Sequence, residues 1–115
     1  MATLDDAARM AAALPEVTEG ESRGNRTWSV GGKAFAFIGL EGGTVALKCG
    51  RTAEEAAPWR ERYPGAITVS RYTGRYGWNS VDWTGPVPDE ELRELVDDSY
   101  DAAVAALPRS RRPVS

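Results

Sequence analysis

Residues 27–50 read TWSVGGKAFAFIGLEGGTVALKCG, three short apolar runs divided by glycine-rich links. Within the runs, hydrophobic and small or polar residues alternate with a period of two, the pattern of strands with one face buried. The Gly31-Gly32 and Glu41-Gly42-Gly43 links have hairpin chemistry, so the spacing predicts three antiparallel strands laid down as a meander. In the third run, Val45, Leu47 and Cys49 face inward and Thr44, Ala46 and Lys48 face the other way.

Working outward, VTEGES at residues 17–22 is a weaker strand candidate, since its acids and glycine disfavour extended structure. A helix over about residues 5–14 precedes it. Leu4, Ala7, Ala8, Ala11 and Leu14 share one stripe, Thr3 and Asp6 form a capping box, and Pro15 stops the helix. A second helix is expected over AEEAAPWRERY, capped by Thr52 and Glu55 and closed by Pro64-Gly65, with a kink or a break at Pro58. AITVSRY and WNSVDW then read as two strands around a hairpin tip. Parity puts Ile67 and Val69 inward in the first; in the second, Asn79, Val81 and Trp83 share one face and Trp78, Ser80 and Asp82 the other. The last helix carries Leu92, Leu95, Val96, Ser99, Ala103 and Leu107 on one side.

The order is helix, three or four strands, helix, two strands, helix, which indicates a single α+β domain rather than alternating βαβ units. It occupies residues 1–107, and residues 108–115, polar and holding two prolines, form a flexible basic tail. A chain of 115 residues, 42% apolar and 27% charged, has a globular composition with one modest core. No apolar run approaches the roughly 18 residues of a membrane span, and the N-terminus lacks the pattern of a signal peptide. A monomer in the cytoplasm, away from membranes, is the expectation.

Composition also removes most enzyme classes. The chain has no histidine and one cysteine, Cys49, which excludes an internal disulfide, Ser-His-Asp or Cys-His hydrolysis, and a zinc site of ordinary ligands. Cys49 reads as a small buried hydrophobe. Gly32-Lys33 is followed by Ala34 where a P-loop needs Ser or Thr, and no GxGxxG precedes a helix. The adjacent carboxylates Glu54-Glu55 and Asp97-Asp98 diverge on their helices and do not converge on a substrate. The reading is a protein that is not an enzyme and needs no cofactor or metal.

Charge is polarised along the chain. Residues 23–81 hold nine basic against four acidic side chains, a balance of +5, while residues 89–101 hold seven acidic and one basic, a balance of −6. The sheet and its turns are therefore basic and the last helix acidic, an asymmetry that suits an anionic partner on one side, although the total of 14 basic against 17 acidic residues has the wrong sign for bulk attraction to DNA.

AAALPEVTEG, GGKAFAFI, RYTGRYGWNSVDW and VPDEELRELVDDSYDAAVAALP occur in the same succession as in the MmcQ/YjbR family of small bacterial proteins, which this chain resembles from about Leu4 to Leu107. The resemblance implies an α+β fold similar to that of type III secretion chaperones, with helices against a curved antiparallel sheet. It also implies DNA binding through a double-wing arrangement of hairpins. One candidate wing tip is Arg71, Arg75 and Tyr76, and the second is ESRGNR with Arg23 and Arg26 about Gly24. The alternative is a protein partner docked on the open sheet face around Trp78 and Lys48. Lys33 reads as a solvated lysine at a strand start.

Overall fold

The computed structural model describes residues 3–22, 24–39, 43–71 and 73–113. Three helices, α1 (Leu4–Ala12), α2 (Ala53–Arg62) and α3 (Asp89–Ala105), accompany six strands: β1 (Val17–Ser22), β2 (Asn25–Val30), β3 (Lys33–Gly39), β4 (Thr44–Lys48), β5 (Ile67–Val69) and β6 (Trp78–Asp82). The strands form one antiparallel sheet in the order β1-β2-β3-β4-β6-β5, so the expected meander is present and β6 inserts beside β4. The weak VTEGES run is a full strand. Pairing along its length with β2 supplies what its own residues lack. No helix among the described residues is long and apolar enough to cross a membrane.

Burial follows the predicted parity in the centre of the sheet. Ile38, Val45, Leu47, Val81 and Trp83 lie in the core with Leu92, Leu95 and Val96 of α3. The opposite face carries Phe37, Ala46, Trp78 and Ser80, all half-buried. Parity fails at two places. Phe35 and Ala36 are neighbours yet both buried, because Trp28 pairs with Ala36 and Ser29 with Ala34, leaving Phe35 as the extra residue of a β-bulge. That turn of the backbone sends Phe35 onto Tyr100 of α3, ring edge to face at 5.4 Å. Val69, expected inward, is 54% exposed. It ends a three-residue edge strand with a neighbour on one side alone, so nothing closes over it.

Helix boundaries have local causes. Thr3 and Asp6 make the expected capping box on α1, and Thr52 accepts from the Glu55 amide at the start of α2. One unbroken helix runs through Pro58, so its first half is not a separate turn. Proline removes the bond to the Glu54 carbonyl, and Glu54 is exposed, so water can replace it there. Between α1 and β1, Glu16 adopts a positive φ of 58° and the Tyr100 hydroxyl donates to the Pro15 carbonyl at 2.8 Å, which clamps the turn to α3. The segment after α3 includes a short 3-10 turn at Arg109–Arg111. Arg112 donates to the Leu107 and Ala105 carbonyls, supplying the basic C-terminal cap that α3 lacks within its own last turn.

Candidate functional site

β3 begins, β4 ends and β6 begins at the same end of the sheet, which places Lys33, Lys48 and Trp78 together there. Lys48 and Trp78 are direct cross-strand partners, so their side chains project side by side on the face away from the core. Trp78 lies against Phe37, with ring centroids 5.2 Å apart. The small Ala46 of the intervening strand leaves room for that contact. Trp78 is therefore neither sealed in the core nor free in solvent: one side packs and the other remains available.

The expected hairpin tip between β5 and β6 is instead a loop closed by a 3-10 turn, Gly74–Tyr76. Gly77 ends the turn at a φ of 89°, and its carbonyl accepts from the Cys49 amide at 2.8 Å, pinning the loop to the end of β4. A Cβ at Gly77 would lie 2.0 Å from the Gly50 carbonyl oxygen, so glycine is required on two counts. The turn leaves Tyr76 52% exposed with the Arg75 guanidinium 4.8 Å from its ring centre.

Between this loop and α3 lies an open cleft of about 390 Å³, lined by Lys33, Lys48, Tyr76 and Trp78 on the sheet side. Ser99, Ala102, Ala103 and Ala106 of α3 form the other wall. The chain's two lysines thus meet two aromatic rings, and the helix wall facing them has no acid: Asp97, Asp98 and Asp101 lie outside the lining. Desolvation, followed by the field of Glu94, Asp101 and Asp97, holds the Asp98 carboxyl above its ordinary range. No cluster of three potential metal ligands occurs among the described residues.

The two predicted tips are not brought together. β2 starts at the opposite end of the sheet from the 70–77 loop, and β2 and β5 are four strand spacings apart, about 19 Å before any offset along the strands. Arg26 is also engaged: its guanidinium contacts Glu19 Oε1 at 2.6 Å and covers the Trp28 ring at 4.9 Å. Arg23 lies outside the described residues. Arg71 and Arg75 are exposed in the same loop as Tyr76. The sequence singles out Lys48, Tyr76 and Trp78 but divides them between two rival sites and gives no part to α3; Lys33 is exposed at the start of β3, as expected, and lines the same cleft. The alternation of Lys48 with Leu47 was a usable signal; the approach of Ala102 and Ala106 depends on long-range packing that no local pattern encodes.

Three helices on one face of a six-stranded antiparallel sheet, with a basic aromatic cleft at one end, define the class of this α+β domain. Residues 12–102 match the YjbR family model, and the chain belongs to that family. It is 34% identical over 68 residues to YjbR of Escherichia coli (strain K12), and the match covers 59% of this chain and 55% of that protein. The same figures hold for YjbR of Escherichia coli O157:H7, so the chain spans about half the length of the curated relatives it matches. The crystal structure of a Deinococcus radiodurans protein with a DUF419 domain superposes with a TM-score of 0.84 at 22% identity, covering 96% of this chain and 86% of that one, a likeness of fold.

Proposed function

We propose that this domain is a non-catalytic binding protein for nucleic acid, with DNA as its ligand, and that it makes contact at one corner of the sheet rather than through two wings. The observation that supports this reading is the convergence of Lys33, Lys48, Tyr76 and Trp78 on one cleft, with Arg75 stacked on Tyr76 beside it. Ammonium groups suit phosphate oxygens as point charges, and exposed aromatic rings suit bases. No carboxylate lines the cleft, so its lining is basic on a chain whose net charge is −3. Such a corner attracts a polyanion in an orientation that the total charge would not suggest. With two lysines and two aromatic rings but no carboxylate in its lining, the cleft is suited to hold an anionic ligand.

The test is fluorescence anisotropy of labelled DNA at several salt concentrations. Saturable binding that weakens steeply with salt, and that weakens less steeply in Lys33→Ala with Lys48→Ala, supports the reading. Absence of saturable binding at low salt overturns it. The Phe37–Trp78 pair on the open sheet face favours a second reading, docking of a protein partner. That reading requires Trp78→Ala to lose a partner that the double lysine variant retains.

A further inference from the structure

We infer that the cleft receives a single unpaired nucleotide, its base against Tyr76 and Trp78 and its phosphate between Lys33 and Lys48. This inference rests on the nucleic-acid reading above and adds what form of DNA the site selects. A space of about 390 Å³ falls in the range of small-ligand pockets, large enough for one nucleotide and far too small to admit a duplex. Ala102 and Ala106 of α3 also line the cleft and present methyl groups and no charge. An unstacked base entering there would meet aromatic rings and apolar methyl groups, an environment that replaces the stacking lost from its own strand. The two ammonium groups supply positive charge with no carboxylate in the lining to compete for them. Arg75, already stacked on Tyr76, adds a third cation for the neighbouring phosphate. Ser99 is not free to read the base, because its hydroxyl is committed to the Phe35 carbonyl and the Lys48 amide. Selection therefore falls on strandedness and not on sequence.

The experiment compares the full chain's affinity for a thymidine oligonucleotide of about ten residues with that for a blunt duplex of similar length. Two variants are measured beside it: Ala102→Leu, which fills the cleft with a good helix former and leaves charge unchanged, and Lys48→Met, which keeps the apolar stem and removes the ammonium. The expected result is a preference of about tenfold or more for the single strand, reduced by each variant toward the duplex value. Equal affinity for both forms, unmoved by Ala102→Leu, would leave nucleic-acid binding standing and sink the single-nucleotide cleft. No binding to either form at low salt would remove both.

Discussion

The hydroxyl of Ser99 bridges two strands that do not bond each other at that level: it donates to the Phe35 carbonyl at 2.6 Å and accepts from the Lys48 amide at 2.9 Å. The bulge at Phe35 carries its carbonyl away from β4, and a serine in the middle of α3 fills the gap. One buried side chain thereby ties the last helix to the sheet and holds Lys48 at the mouth of the cleft.

Ser99→Ala strands a buried amide and a buried carbonyl without changing volume much. It is expected to cost about 1 to 3 kcal/mol in urea unfolding, with little change in m-value. Ser99→Cys, a weaker donor, should fall between the two. Wild-type stability in the alanine variant would show that the bridge carries no weight.

Asn79 does comparable work for α2. It is fully buried, donates to the Ala56 carbonyl at 3.0 Å and accepts from Arg60 at 2.8 Å. Replacement by leucine satisfies the apolar surroundings but takes one acceptor from the Arg60 guanidinium, which keeps the Ala53 carbonyl at 2.8 Å, and one donor from the Ala56 carbonyl, and should cost about 1 to 2 kcal/mol. Double variants with Arg60→Met test the cause: the combined loss should be smaller than the sum of the single losses.

Glycines in the 70–77 loop differ sharply in what they tolerate. Gly77→Ala combines a positive φ with a clash against the Gly50 backbone, and should cost about 3 kcal/mol or more. Gly74→Ala meets the tip of Val69, an exposed side chain that can swing away, and should cost less than about 1 kcal/mol. Thermal unfolding of the two variants checks the contrast, and equal losses would contradict the loop's anchorage at Gly50.

Burial pushes the Cys49 thiol up to about 11, with hydrogen bonding from Asn79 opposing the shift. Because the folded state holds this proton to higher pH than the unfolded state, the corresponding stability is complete below about pH 9 and is lost as pH rises toward 11, on the order of 2 to 3 kcal/mol. At pH 8 the folded thiol should react with a disulfide reagent about a hundredfold more slowly than the urea-unfolded chain. In Cys49→Ala the decline of stability between pH 9 and 11 should become shallower.

What the sequence made legible follows from how local each cause is. Strand alternation placed Val45, Leu47, Val81 and Trp83 correctly because a pleat fixes the direction of neighbouring side chains. It also turned Asn79 inward, but not toward Ala56 and Arg60, since those partners come from an element 20 or so residues away in the chain. Phe35 defeats a period-two reading because the bulge is set by pairing with β2. Val69 defeats it for a different reason: parity gives direction, whereas cover depends on what lies beyond the edge of the sheet. The lining of the candidate cleft was half legible. Tyr76 and Trp78 stand out in any reading of RYGW, but joining them to Lys33 requires the strand order, and the alanine wall requires the packing of α3.

Arg26 and Arg75 offer the sharpest comparison between one corner and two wings. Arg26 is held by Glu19 and Trp28, so using it on DNA would mean breaking an ion pair and a ring contact before any phosphate is gained. Arg71 and Arg75 are exposed in a loop whose base is pinned at Gly77. Arg71→Ala with Arg75→Ala should therefore weaken DNA binding and lower the slope of log affinity against log salt by about 1 to 2, as expected for one or two lost phosphate contacts. Arg26→Ala should leave affinity and slope unchanged while costing up to about 1 kcal/mol of stability through the Glu19 and Trp28 contacts. If Arg26→Ala lowers the slope as much as the loop variants do, the ligand reaches across the sheet and the double-wing arrangement is restored.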